Sequence, residues 1–194
     1  MNILESFLVS SGVVALAEIG DKTQLLAFIL AAKYHRPFPI AIGILVATLL
    51  NHALAGAMGS WAITLIEPEI LSWVLGLSFV GMAIWTLVPE RFDDSGNSGT
   101  RFGVFGTTLI VFFIAEMGDK TQVATVMLAA QYQAFVEVVA GTTLGMMIAN
   151  VPVVYFGDRL GNRVPVRFVR GIVAAIFAII GIATLLGAGK DLVL

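Results

Sequence analysis

Two copies of one short motif place charged and polar side chains in the middle of otherwise apolar segments. The first is EIGDKTQ at residues 18–24 and the second is EMGDKTQ at residues 116–122. Each copy offers carboxylate, hydroxyl and amide oxygens, which are the ligands that hard divalent cations such as Mn²⁺, Ca²⁺ and Mg²⁺ prefer. The chain has no cysteine and only two histidines, so a zinc, copper or iron–sulfur site fits poorly. The motifs therefore predict binding of a hard cation by oxygen atoms.

The acidic residues of the two motifs are the candidate metal ligands. If the motif is helical, Glu18, Asp21 and Gln24 share one face of the helix. If the helix is broken at the motif glycine, backbone carbonyls become further ligands. Because we expect the motifs to face each other, four carboxylates would meet in one pocket. The candidate metal ligands are Glu18, Asp21, Glu116 and Asp119, and the supporting candidates are Thr23, Gln24, Thr121 and Gln122.

Carboxylates that repel one another in an apolar interior must bind protons or a cation. Competition between the two is itself an exchange mechanism, and antiport is therefore a hypothesis from the residues alone. Lys22 and Lys120 either neutralise the site when no cation is bound or extend toward the membrane surface. Asn51, His52 and Asn150 are weaker candidates, which either complete the pocket, relay protons or form hydrogen bonds between helices.

Charged residues are scarce along the chain of 194 residues. They make up 12% of it, compared with about 25% in soluble domains. Hydrophobic residues make up 58%, compared with roughly 45–50% in soluble domains. This composition excludes a soluble globular protein, and a net charge of −2 provides no basic field for nucleic-acid binding. A charge at the centre of a membrane helix costs roughly 2.5–3.5 kcal/mol. The charged motifs must therefore be stabilised inside the protein.

Short polar stretches divide the chain into six apolar segments. Each can cross a bilayer as a helix, which takes about 20 residues. The stretch PERFDDSGNSGT, residues 89–100, divides the chain into halves. We predict an all-α integral membrane protein with three transmembrane helices in residues 1–88, a cytoplasmic linker at 89–102 and three more helices in 103–194. The apolar segments cover approximately residues 4–32, 38–66, 70–88, 103–130, 134–157 and 168–188.

The two halves are related by an internal repeat. A shift of 98 residues aligns Phe7 to Tyr34 with Phe105 to Tyr132, and 13 of those 28 pairs are identical. Because each half has an odd number of predicted spans, the second half enters the membrane from the opposite side. This inverted arrangement is typical of secondary transporters, whose substrate site lies near the midplane between the repeats.

Basic residues in the loops predict the orientation of the chain. Eight of them follow the first, third and fifth segments, and Lys190 is the only one on the opposite side. Cytoplasmic loops carry an excess of lysine and arginine, so both termini are expected on the non-cytoplasmic side. The eight are Lys33, Arg36, Arg91, Arg101, Arg159, Arg163, Arg167 and Arg170.

The paired motifs resemble those of a cation/proton antiporter family marked by two E-x-G-D-[KR]-[TS] sequences. This family includes Golgi calcium/manganese transporters and bacterial manganese exporters of the MneA type. The resemblance covers essentially the whole chain, and neither motif departs from the pattern. It implies six transmembrane helices and acidic ion-binding residues at the four carboxylates named above. It also implies a bacterial protein of the inner membrane.

The expected function is export of Mn²⁺, and of Ca²⁺ as a second possible substrate, in exchange for protons. The cation is then a transported substrate, and no cofactor is expected. The expected partners are the divalent cation, protons and membrane lipid, with a homo-oligomer as a possibility and no nucleic acid. Two alternatives remain open from sequence alone: a proton-coupled transporter of another small substrate such as an amino acid, and an intramembrane metalloenzyme. We expect no enzymatic activity.

Overall fold

The computed structural model describes residues 3–87, 102–160 and 166–186. All regular structure in these ranges is helical, which confirms the prediction of an all-α protein. Most of the predicted linker at 89–102 lies outside them, as do Arg91, Arg101, Arg163 and Lys190. The helices are α1 Ile3–Ala17, α2 Lys22–Tyr34, α3 Pro37–Leu65, α4 Pro68–Leu87, α5 Gly103–Glu116, α6 Lys120–Tyr132, α7 Phe135–Leu160 and α8 Val166–Leu185.

Each motif breaks its apolar segment into two helices. Gly20 and Gly118 both have φ of +75°, a left-handed conformation that glycine adopts without the steric cost borne by other residues. The axes of α1 and α2 differ by 71°. The possibility of one continuous helix through the motif, with both acids on a single face, is therefore wrong. The chain turns at the glycine because no Cβ opposes the turn.

Within the described ranges, three helices are long and apolar enough to cross a membrane, namely Pro37–Leu65, Glu69–Leu87 and Phe135–Phe156. The bent pair α1 and α2 meets the same criteria when taken together, and α5 is shorter. A long apolar helix satisfies its own backbone hydrogen bonds and can therefore lie in lipid. The protein is an integral membrane protein, as its composition predicts.

Glycines let the first helix of each half cross a long helix of the other half. A Cβ added at Gly141 on α7 would lie 2.6 Å from the carbonyl oxygen of Phe7 on α1. At Gly43 on α3 it would lie 3.0 Å from the carbonyl oxygen of Phe105 on α5. These two contacts join residues that are equivalent under the 98-residue shift. They bring α1 and α5, which end at the motifs, into the interior of the protein.

The remaining two helices, α4 and α8, pack against each other. Phe79 and Phe177, which are also 98 residues apart, stack with ring centroids separated by 6.2 Å. Residues of α4 and α8 share an apolar cluster with α1, α6 and α7, whereas the second apolar cluster consists of residues from α2, α3, α5 and α7. The α4–α8 pair therefore covers the α1–α6 side of the protein.

Candidate cation site

The two helix breaks meet in the interior and bring three of the four predicted carboxylates together. Glu18, Glu116 and Asp119 each have an oxygen within 4.8 Å of the oxygens of the other two. Both glutamates are fully buried, and Asp119 is 1% exposed. Three carboxylates at this separation repel one another in a medium of low dielectric constant. The arrangement has the composition and spacing of a site for a cation.

Each glutamate uses one carboxylate oxygen within its own motif. The hydroxyl of Thr23 donates to Oε2 of Glu18, and the hydroxyl of Thr121 lies 3.3 Å from Oε2 of Glu116 and also 3.3 Å from Oδ2 of Asp119. Oε1 of each glutamate has no hydrogen-bond partner among the described residues. The predicted supporting threonines thus hold the glutamates in place, and each glutamate keeps one oxygen available to a cation.

The motif lysines pair with the aspartates of the opposite motif. Nζ of Lys120 lies 2.8 Å from Oδ1 of Asp21, and Nζ of Lys22 lies 2.9 Å from Oδ1 of Asp119. Along the sequence, each lysine lies four residues after the glutamate of its own motif. Its pairing with the aspartate of the other motif was therefore not predicted. The two ion pairs join the helix breaks to each other across the interior of the protein.

The motif glutamines stabilise the two breaks. Oε1 of Gln24 accepts a hydrogen bond of 2.9 Å from the backbone N–H of Gly20, and Oε1 of Gln122 accepts one of 2.7 Å from Gly118. The amide of Gln24 donates to the carbonyl oxygen of Ala149 at 3.1 Å. Each glutamine therefore satisfies a backbone donor that the break would otherwise leave unpaired.

Of the three weaker candidates, only Asn51 connects to the motifs. Its Oδ1 lies 3.4 Å from the amide nitrogen of Gln122, and its Nδ2 donates to the carbonyl oxygen of Phe113 at 3.0 Å. Asn150 donates to Met146 within its own helix. His52 is fully buried, and neither ring nitrogen has a hydrogen-bond partner among the described residues.

The sequence did not predict the role of the backbone carbonyl of Ala149, which accepts a hydrogen bond from Gln24. Asn51 and Ala149 are equivalent under the 98-residue shift, and each provides the acceptor for the glutamine of one motif. The internal repeat could have indicated this role, because it aligns Ala149 with Asn51. Ala149 accepts the equivalent hydrogen bond through its backbone oxygen.

Comparison with known proteins identifies the family of the chain. The sequence profile of the family described as "Divalent cation/proton antiporter GDT1" matches residues 6–94 and again residues 104–192. The two matched ranges are offset by the same 98 residues that relate the motifs. The chain belongs to the GDT1 family. The resemblance inferred from the paired motifs is therefore confirmed.

Several GDT1 relatives match over nearly their whole length. A Vibrio cholerae protein named "Putative manganese exporter" is 46% identical over 184 residues, which cover 94% of this chain and 92% of the relative. A Synechocystis protein, GDT1-like protein sll0615, is 27% identical and covers 92% and 97% of the two chains. GDT1-like protein 5 of Arabidopsis thaliana is also 27% identical, with coverage of 95% and 97%. No solved structure matches the chain.

Membership of the GDT1 family decides between the classes of function that the sequence left open. The family consists of cation transporters and not of enzymes, so the alternative of an intramembrane metalloenzyme is wrong. The protein is a membrane transporter of cations. The buried carboxylates lie where the two halves of the chain meet, which is the usual place for the substrate site of a secondary transporter.

Proposed function

We propose that this GDT1 protein exports Mn²⁺ from the cytoplasm in exchange for protons. The observation that carries the proposal is the pair of buried glutamates, each with one oxygen that no described residue satisfies. A buried carboxylate oxygen without a partner is costly, and a cation or a proton removes the cost. The name of the Vibrio cholerae relative supports manganese as the cation.

The charges of the two motifs support an exchange of one divalent cation for protons. Four carboxylates face two lysine ammonium groups, and both ammonium groups are already engaged in ion pairs. Two negative charges remain, which one divalent cation or two protons balance. Binding of the metal requires deprotonated carboxylates, so loading releases protons and protonation releases the metal. The charges of the two motifs and their bound ions then sum to zero in both loaded forms.

The oxygen ligands are compatible with Mn²⁺ and with Ca²⁺, which we propose as a second substrate. Both are divalent cations that accept carboxylate ligands, and neither needs the thiolate or imidazole groups that the site lacks. The proposed metal ligands are Glu18, Glu116 and Asp119, with Asp21 as the fourth. Thr23 and Thr121 position the two glutamates, whereas Gln24 and Gln122 stabilise the two helix breaks.

The proposed topology has six spans in two inverted repeats. The pairs α1–α2 and α5–α6 each form one broken span, and α3, α4, α7 and α8 form the other four. The repeats occupy residues 1–88 and 103–194, and the linker at 89–102 lies in the cytoplasm. The equivalent glycine contacts of α7 with α1 and of α3 with α5 support this arrangement. The distribution of lysine and arginine in the loops supports both termini outside the cytoplasm, and the Vibrio cholerae relative supports a bacterial inner membrane.

Transport by the purified protein in liposomes tests this function directly. Uptake of Mn²⁺ and of Ca²⁺ is measured with and without a pH gradient, and internal pH is followed with a trapped dye. We expect an imposed gradient to accelerate Mn²⁺ uptake and Mn²⁺ uptake to move protons in the opposite direction. Mn²⁺ flux that does not change with the pH gradient would exclude proton exchange but remain consistent with a cation transporter. Absence of flux for both metals would refute the proposed function.

A further inference from the structure

The two motifs have nearly the same sequence but differ in exposure. The side chain of Lys22 is 29% exposed, whereas that of Lys120 is 3% exposed. Lys120 starts α6, which lies on the side covered by the α4–α8 pair, and Lys22 starts α2, which belongs to the apolar cluster without α4 and α8. The part of the site next to α1 and α6, the α1–α6 side, is thus more deeply buried than the part next to α2 and α5, the α2–α5 side.

The aspartates of the two motifs differ in the same way. Asp119 joins Glu18 and Glu116 in the group of three carboxylates. Among the described residues, Asp21 does not complete that group, and its Oδ1 lies 2.8 Å from the buried ammonium of Lys120. Only Asp119 of the two equivalent aspartates therefore has an oxygen within 4.8 Å of oxygens of both glutamates.

The difference in exposure decides which ion pair a cation can displace. Because the side chain of Lys22 is 29% exposed, its ammonium can leave Asp119 without remaining buried and unpaired in the interior. If the ammonium of Lys120 left Asp21, an unpaired charge would remain in the interior, which is strongly unfavourable. A cation that enters from the α2–α5 side therefore replaces Lys22 at Asp119 and leaves the pair of Lys120 with Asp21 intact.

We propose that the two aspartates alternate as ligands during transport, and that the lysine of the opposite motif holds the aspartate that is not in use. Glu18 and Glu116 bind the cation in both states. Asp119 completes the site when it faces the α2–α5 side, and Asp21 completes it when it faces the α1–α6 side. The inference rests on the proposed cation transport, and it assigns the motif lysines as positioning residues that compete with the cation.

Transport measured separately from each side of the membrane tests this proposal. Vesicles of both orientations are prepared from cells that contain the parent protein, Asp119→Asn or Asp21→Asn, and the KM for Mn²⁺ is measured from the accessible side. The chain has no cysteine, so a single Lys33→Cys substitution at the exposed end of α2 reports which side is accessible through its reaction with an impermeant maleimide.

We expect each aspartate variant to affect one side. Asp119→Asn should raise the KM from the α2–α5 side about tenfold, which corresponds to ~1.4 kcal/mol, and should change the KM from the other side less than about twofold. Asp21→Asn should give the reverse result. Equal increases on both sides for both variants would overturn the alternation. That result would leave the proposed transport intact, because the parent protein would still carry Mn²⁺.

Lys22→Gln provides a second measurement in case an aspartate variant does not fold. Removal of the competing ammonium should lower the KM for Mn²⁺ from the α2–α5 side and should not lower it from the other side, where Lys22 holds the unused Asp119 and does not compete with the cation. A lysine with a merely structural role would impair transport from both sides alike, and that outcome would contradict the proposal. If the parent protein itself transports neither Mn²⁺ nor Ca²⁺, the proposed function fails and not the alternation alone.

Discussion

The helices that follow the two motifs, α2 and α6, start with the same three residues but have different surroundings. Eight of the 13 residues of α6 are buried, compared with four of the 13 residues of α2. Both helices begin after an aspartate in extended conformation and end at a left-handed residue, so their local structure is the same. The difference arises from tertiary packing. One helix is covered by the α4–α8 pair and its equivalent is not.

This comparison teaches that a nearly symmetric site can hold two inequivalent halves at once. The glutamates are equally buried, whereas the lysines differ in exposure and the aspartates differ in their neighbours. Alternating access requires inequivalence of this kind, because a site open equally to both sides would be a leak. Variants of paired residues can therefore separate what the two halves share from what distinguishes them.

The largest expected effect concerns the glutamates, which the two halves share. Glu18→Gln and Glu116→Gln should each lower kcat/KM for Mn²⁺ at least about a thousandfold, equivalent to ~4.1 kcal/mol, because each removes a charged ligand from the centre of the site. The two variants should be similar in magnitude, since both side chains are fully buried. Initial rates of Mn²⁺ uptake into liposomes check the prediction.

Glu69→Gln is the matched control for the glutamate variants. Glu69 is exposed in the first turn of α4 and lies outside the motifs, so the same change of acid to amide should leave uptake near the parent rate. If one motif glutamate tolerated its substitution while the other did not, the two halves would differ in the feature that the structure shows as shared.

The second effect concerns the lysines, which distinguish the halves. Asp21→Asn should lower the free energy of unfolding by about 3 kcal/mol, because the ammonium of Lys120 would remain buried without its partner. Asp119→Asn should cost less than about 1 kcal/mol, in the range of exposed ion pairs, since the side chain of Lys22 is 29% exposed and its ammonium need not stay in the interior. Unfolding of the purified protein in mixed detergent micelles measures both values. Equal losses would mean that the difference in exposure carries no energetic weight.

The sequence predicted the shared features of the two halves better than the differences between them. The paired motifs identified the glutamates, and the 98-residue shift relates Gly20 to Gly118 and therefore one helix break to the other. The pairing of each motif lysine with the aspartate of the other motif was not predicted, because spacing along a helix indicates only neighbours within one motif. Pairing between Lys120 and Asp21 depends on how two distant segments cross.

The unequal exposure of the lysines is even harder to predict from sequence. The motifs differ at a single position, Ile19 or Met117, and neither side chain decides where α4 and α8 lie. One difference between the halves can be read from the chain. Pro152 interrupts α7, whereas Leu54 occupies the equivalent position in α3, and α7 has a non-helical residue at Phe156. A proline removes the helix hydrogen bond to the carbonyl four residues before it, here that of Ile148, so Pro152 alone does not account for the break at Phe156.

The smallest effect tests the helix break itself. Gly118→Ala should lower the free energy of unfolding by about 1–2 kcal/mol, the cost of placing a residue with a Cβ in the left-handed region. The cost is one of backbone conformation alone, because a Cβ at this position would meet no atom within 4 Å. Gly81→Ala is the matched control: it is equally open, lies within α4 and has no positive φ, so no loss is expected. Equal stability of the two variants would show that the break does not depend on the motif glycine, and the turn would then have to be imposed by the ion pairs between the motifs.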